Sequence, residues 1–464
     1  MSLQPVLEAA ADRKASYLDD LMQFLRIPSI STSPAHRSEM QRAAEWLAER
    51  MRAIGLRRVQ LIGSGGHPIV YSEWLEAGPQ APTLLIYGHY DVQPTDPDHA
   101  WLSPPFEPSL RDGYLYARGA SDDKGQHYTH LAAVDAFLRT HGKLPLNVKF
   151  FIEGEEESGS PQLEQVIRDA ADQLRCDAVV ISDGGFLNAH TPRIDTGVRG
   201  LVYMEVEVRG PQRDLHSGSY GGAVHNPLQV MVELLAKLHD DQGRVTVPGF
   251  YDRVRPISDE ERQALKRIPF DAEQFRREEV GAPALWSGEA GYSVLERIGC
   301  RPTLEIHGIR GGFVDEGQKT VIPAMALAKV SMRLVPDQDP LEIARLFEQH
   351  IQRLAPPTVQ VQVRTLSYAD PALVDIHSPA VQAAVIAFRQ GFGAEPVFAR
   401  SGGTLPVVAY FVKTLGAPVV FLSYGLPDDN WHAPNERFKL DHFYRGINTS
   451  IIFMHTLATH ASAG

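Results

Sequence analysis

The chain has 464 residues, 43% apolar and 22% charged, the proportions of a soluble globular protein long enough for two domains and a large core. Its net charge of −12 argues against nucleic acid or an anionic membrane as a partner held by bulk electrostatics. Cys176 and Cys300, the two cysteines, sit far apart and outside any Cys-x-x-Cys spacing. That argues against a disulfide framework and a thiolate-ligated zinc. No apolar run approaches the length of a membrane span. Residues 1–16 contain acidic side chains and no unbroken apolar core, unlike a signal peptide, so a cytoplasmic protein is expected.

The first element is a helix: Leu18, Leu21, Met22 and Leu25 recur at three- and four-residue spacing, and Pro28 stops the pattern. A second helix is predicted over 38–54, with Gly55 as its C-terminal stop. Apolar strands then alternate with helical stretches: a strand at 83–87, a helix near 126–140, a strand at 147–152, a helix near 162–173, and a strand at 178–181. This is the alternation of an α/β domain with a largely parallel sheet.

After Gly200 the texture changes. A strand at 201–208, a helix at 227–238, strands at 303–307 and 325–335, a helix at 340–354 and a strand at 358–364 give the order β-α-β-β-α-β. That is the order of a ferredoxin-like sandwich. The polar, Arg- and Glu-rich stretch 240–300 reads as an elaboration of it. From Ser378 the α/β texture returns, with a helix to Gln390, a strand at 418–423 and a closing helix near 442–458. The expected organisation is an α/β domain over 1–200 and 375–464, interrupted by an inserted ferredoxin-like domain over 201–374.

Chemistry concentrates just past strand ends. His89 and Asp91 follow the strand at 83–87. In extended chain residues two apart share a side, so the carboxylate can hold one imidazole nitrogen and leave the other free. Asp122-Asp123 precede a helix, Glu153-Gly154-Glu155-Glu156-Glu157 follow the strand at 147–152, Asp183 follows 178–181, and Trp431-His432 lie in a loop after 418–423. Singly, each has a plainer reading: a turn, a helix cap, a solvated acidic loop, a surface histidine. Together they all fall where strand carboxyl ends share one edge of a parallel sheet, and ligands bind there. Five carboxylates in one cleft resist ionising together. A pair of divalent cations relieves this, and histidine with carboxylate suits Zn²⁺, Mn²⁺ or Co²⁺ rather than Ca²⁺.

The blocks Gly88-His89-Tyr90-Asp91-Val92-Gln93-Pro94, Gly119-Ala120-Ser121-Asp122-Asp123-Lys124-Gly125 and Glu153-Gly154-Glu155-Glu156-Glu157-Ser158-Gly159-Ser160, in this order, resemble those of the M20 family of di-metal peptidases. The likeness spans nearly the whole chain and is strongest to the carnosinase-type, cytosolic non-specific dipeptidase branch. It implies two divalent ions per subunit, Zn²⁺ first with Mn²⁺ or Co²⁺ as alternatives. One would be held by His89 and Asp183, the other by Glu157 and His432, with Asp122 bridging, often through a cis peptide to Asp123. Asp91 would orient His89. Glu156 would be the general base for attack by a metal-bridging hydroxide, with Glu155 aligned to a variable position.

The resemblance also implies a homodimer in which lid His216 reaches the neighbouring subunit's site. Arg333 would hold a terminal carboxylate, and Thr320, Gly403 and Thr404 would contact substrate. Ser401 departs from the acidic residue common before that glycine pair. The implied reaction is hydrolysis of a dipeptide or short peptide. The rival activity is N-acyl-amino-acid deacylation by the same metals, and the rival of another class is a silent binding protein.

Overall fold

The structure, a computed structural model, describes residues 1–63, 65–286 and 288–460. The expected stretches 1–200, 240–300 and 375–464 run across residues 64, 287 and 461–464, which lie outside the described residues. The chain divides into two units. One comprises Met1–Asp195, Val374–Phe398 and Tyr410–Gly464; the other comprises Thr196–Leu373 and Ala399–Ala409.

The sheet of the first unit has six strands, in the order Arg57–Ile62, Ile69–Trp74, Asn147–Glu153, Thr83–His89, Ala178–Ile181, Val419–Phe421. The last four run parallel. Asn147–Glu153 is buried at every residue, as expected of a parallel strand covered on both faces. Helix Lys124–His141 is buried continuously from Lys124 to Phe137, and helix Leu440–His460 packs against it. The parallel register sets His89 opposite Glu153, so the carboxyl ends of these strands lie along one edge.

Several elements differ from expectation. Arg57–Ile62 and Ile69–Trp74 form an antiparallel edge hairpin, and Pro406–Leu415 is a helix; neither was predicted. The helix expected over 162–173 divides into Leu163–Asp169 and Ala171–Leu174. An unpredicted helix, Gln4–Asp12, opens the chain; the two helices expected next occupy Lys14–Leu25 and Arg37–Ala53, and Gly55 takes φ +101° just beyond the latter, the left-handed conformation that glycine reaches without steric cost.

The second unit holds a four-stranded antiparallel sheet, in the order Thr303–Gly311, Met325–Leu334, Gly200–Arg209, Gln360–Ala369. Alternate residues Val202, Met204, Val206 and Val208 point into a core shared with Val230, Met231 and Leu234 of helix Pro227–Ala236 and Phe347 and Ile351 of helix Pro340–Leu354. Asn226 and Asp339 cap these helices, meeting N–H groups that the first turn leaves unpaired. The polar stretch 240–300 includes helices Asp259–Arg267 and Val294–Gly299, each opened by a serine–glutamate capping box.

Domain limits were expected at 200/201 and 374/375. The units change at 195/196 and 373/374, and Ala399–Ala409, expected in the catalytic domain, groups with the inserted unit. The cause is main-chain pairing. Thr196 N–H donates to Ala399 O at 2.8 Å, Ser401 N–H to Gly197 O at 2.8 Å, and Arg199 N–H to Gly403 O at 2.9 Å. Such pairing leaves no periodic trace in sequence.

Candidate metal centre

His89 is the last residue of strand Thr83–His89 and is fully buried. Its Nδ1 lies 3.1 Å from the main-chain oxygen of Asp91 and 3.4 Å from Asp91 Oδ1. The two side chains do meet, but the hydrogen bond goes to the Asp91 carbonyl. The other Asp91 oxygen accepts the Glu157 N–H at 3.0 Å, tying the acidic loop to the histidine strand. His89 Nε2, buried and without a hydrogen bond, faces Asp122 Oδ1 at 3.1 Å and Asp183 Oδ2 at 3.9 Å.

The second oxygen of Asp122 faces His432. Asp122 Oδ2 is 3.0 Å from His432 Nε2, and Glu157 Oε2 is 3.3 Å from the same nitrogen. Two potential ligand groups result, His89–Asp122–Asp183 and Asp122–Glu157–His432, sharing Asp122. Donors bound about 2.0–2.2 Å from one ion stand roughly 3–3.5 Å apart, so most of these spacings are those of ligands around common centres. Gln93 Nε2 donates to Glu157 Oε2 at 2.7 Å, holding the carboxylate in orientation.

The electrostatics also call for cations. Burial and the Asp122 charge push the Asp183 carboxyl up to about 6 and the Glu157 carboxyl up to about 9. Glu156 is raised well above the carboxylate range by burial and, against the pull of His89, by Asp183, Glu157 and Asp122. Burial would raise Asp122 too, but His432 and His89 outweigh it and hold its carboxyl low. A cluster of carboxylates titrating upward for want of positive charge is a donor set that fits divalent ions.

Of the three consecutive glutamates, Glu155 turns away: its carboxylate occupies the space where a Cβ on Gly66 would sit. Glu156 and Glu157 open a short 3-10 turn beside the ligand groups. The Asp122–Asp123 peptide bond is cis, as the resemblance implies. His432 takes φ +59°, a left-handed conformation that costs a residue with a side chain roughly 1 kcal/mol or more.

One buried residue of the site lies outside the expected ligand set. Glu436 is fully buried. Its Oε2 accepts from Gly119 N–H at 2.8 Å and Arg118 Nη1 at 2.9 Å, and its Oε1 from the N–H groups of Ser121 and Asp122 at 2.9 and 3.0 Å. Asp429 supports the same loop, accepting from Ser121 Oγ at 2.9 Å. The available signal was a charged residue inside an otherwise loop-like Pro/Asn segment.

The remaining expected residues belong to the second unit. His216 is exposed and pairs with Val321 in a two-stranded ladder, and the neighbouring Thr320 carbonyl accepts from Ser217 N–H at 3.1 Å. Arg333 Nη1 donates to Thr404 Oγ1 at 2.5 Å, and Gly403 precedes Thr404 in the loop paired with Arg199. His216 and Thr320 form one cluster; Arg333, Gly403 and Thr404 form another.

A sheet edge carrying two imidazole–carboxylate groups joined by a shared aspartate defines a candidate dinuclear metal centre. The model of peptidase family M20/M25/M40 matches residues 85–455, and the chain belongs to that family. It is 31% identical to the Cys-Gly metallodipeptidase DUG1 of Candida albicans, covering 98% of this chain and 97% of that protein. To human Beta-Ala-His dipeptidase it is 32% identical, covering 98% and 93%. Among solved structures it superimposes on an M20 family metallo-carboxypeptidase, Sso-CP2 from Sulfolobus solfataricus, with TM-score 0.86 and 34% identity, over 96% of this chain and 99% of that one.

Proposed function

We propose that this chain is a dinuclear metallopeptidase that hydrolyses dipeptides. One observation carries the reading: Asp122 presents one oxygen to His89 and the other to His432 at 3.0–3.1 Å, with Asp183 and Glu157 completing the two groups. His89 and Asp183 would hold one ion, Glu157 and His432 the other, and Asp122 both. Zn²⁺ is the first choice, with Mn²⁺ or Co²⁺ accepted by the same donors. Bound there, the ions would acidify a water molecule and polarise the scissile carbonyl.

The chain's own groups do the rest. Glu156 takes a proton from the attacking water as the C–O bond forms, then delivers it to the amide nitrogen as the C–N bond breaks. The products are a carboxylate and a free amine. Asp91 fixes the His89 ring and, through the Glu157 N–H, the acidic loop. The second unit acts as a ferredoxin-like lid, a reading supported by its β-α-β-β-α-β order and antiparallel sheet. In a homodimer, its His216 would donate to the oxyanion forming on the other copy's substrate. Arg333 would hold the substrate's terminal carboxylate through its guanidinium fork, with Gly403 and Thr404 beside it, and Thr320 would contact substrate from the cluster it forms with His216.

That relatives of this chain carry dipeptidase names supports peptide hydrolysis over N-acyl-amino-acid deacylation as the reading here. No helix among the described residues is long and apolar enough to cross a membrane, in keeping with a cytoplasmic site of action. The test is a panel of dipeptides set against N-acetyl and N-succinyl amino acids with added Mn²⁺ or Zn²⁺. Dipeptide turnover is expected; turnover confined to acyl substrates would overturn the assignment.

A further inference from the structure

The two imidazoles of the ligand groups are held in different ways. His89 ends a sheet strand, is fully buried, and has its Nδ1 3.1 Å from the main-chain oxygen of Asp91. His432 lies on the irregular segment between strands Val419–Phe421 and Arg437–Lys439, and its side chain is 56% exposed. Among the described residues no hydrogen bond reaches its Nδ1. A metal-binding histidine ordinarily has its second ring nitrogen held by a carboxylate or a carbonyl. The orientation of His432 therefore comes from the chain on either side of it.

On one side is Trp431. A Cβ added at Gly425 would lie 2.7 Å from its ring and one at Gly185 2.9 Å, so the indole rests on two positions that only glycine leaves open. Its Nε1 donates to Ser121 Oγ at 2.9 Å, and Ser121 Oγ donates in turn to Asp429 Oδ2 at 2.9 Å. The same Asp429 oxygen accepts the Leu426 N–H at 2.7 Å, which closes the relay on the segment that carries His432. Ser121 adjoins Asp122, and Gly185 stands two residues past Asp183. One side chain thus ties His432 to the segments that present the other ligands. On the far side, Ala433 N–H donates to Asn430 O at 3.0 Å and Asn430 Nδ2 to Asn435 O at 3.2 Å, forming a tight turn around His432.

We propose that Trp431 is the positioning residue that seats His432, and that the ion held by Glu157 and His432 depends on it while the ion held by His89 and Asp183 does not. The inference rests on the dinuclear reading. Its physical basis is rigidity: an indole has only two side-chain torsions, so a ring fixed against Gly185, Gly425 and Ser121 fixes its own backbone and the peptide leading into His432. Without the ring, ordering of the loop opposes ion binding. The first ion is insulated from this, because Glu436 holds the N–H groups of Ser121 and Asp122 and Asp91 holds His89. Loss of a supporting contact behind a metal ligand lowers affinity by about 10- to 100-fold.

The test titrates Zn²⁺ into the full-length, metal-free protein against a competing chelator. The wild type is expected to take two ions. Trp431→Ala should hold one as tightly as the wild type and the other about 10- to 100-fold more weakly, and the ion it retains should match the one that His432→Ala retains. Trp431→Phe keeps a ring on the two glycines and should recover most of the lost affinity, which a general loosening of the fold would not produce. Equal weakening of both ions, no weakening, a retained ion unlike that of His432→Ala, or no recovery in Trp431→Phe overturns the proposal. If the wild type takes fewer than two ions, the dinuclear reading fails separately, and hydrogen exchange of the metal-free protein decides the seat. The N–H groups of Ala433 and Arg437, which donate to Asn430 O and Asp429 O at 3.0 Å, should then exchange about tenfold faster or more in Trp431→Ala. Unchanged exchange overturns the proposal.

Discussion

Glu436 accepts the main-chain N–H of Asp122 at 3.0 Å while its other oxygen is paired with Arg118 at 2.9 Å. The aspartate shared by the two ligand groups is thus held from behind by a buried carboxylate. Glu436→Gln places an amide donor among four donors and leaves Arg118 without its anion. Breaking one member of a buried pair costs about 3–5 kcal/mol. The expected outcome is a variant destabilised by about that amount in urea titration, with reduced metal content by elemental analysis. Wild-type stability and full metal content would show that this contact is dispensable.

Glu156→Gln keeps the donors around Asp122 and removes the proton carrier. Metal content should be unchanged, while kcat falls by about 10²–10⁴-fold. A fully active variant would move the general base elsewhere.

Removal of metal should abolish turnover and also give the protein a characteristic pH response. In the metal-free fold Asp183 and Glu157 are raised to about 6 and about 9, above their values of roughly 4 in an unfolded chain. The folded state then binds more protons than the unfolded one, so this contribution is fully present below about pH 4 and lost as pH rises through 6 and 9. Metal-free protein should therefore unfold at lower temperature at pH 8 than at pH 5.5, and metal-loaded protein should lose this trend. Parallel pH profiles for the two forms would count against a metal site here.

A homodimer with exchanged lids is tested by mixing. Glu156→Gln and His216→Ala chains, each inactive alone, would form mixed dimers containing one intact site. Random pairing restores about a quarter of wild-type activity. No recovery after verified subunit exchange would place His216 in the service of its own chain.

Much of the first unit was legible because its buried strands are continuous apolar runs. The strand Ala178–Ile181 appears at the residues expected, and the helix Pro340–Leu354 does too. The hairpin Arg57–Trp74 was missed because an edge strand such as Arg57–Ile62, half-exposed along its length, lacks that run. The positions of His89, Asp122, Glu157, Asp183 and His432 were readable from one rule, that parallel strands share an edge. Glu436 was not, because three of its four partners are main-chain N–H groups, which no side-chain pattern reports. The same holds for Ala399–Ala409, which joins the second unit by backbone pairing.

The most direct test of the dinuclear assignment is the metal stoichiometry of the purified chain after saturation with Zn²⁺ and removal of excess ion. The geometry around Asp122 predicts two ions per chain in the wild type and a loss of both in Asp122→Ala, together with dipeptide turnover that tracks the second ion. One ion or fewer per chain in the wild type, or two ions undiminished in Asp122→Ala, would contradict it.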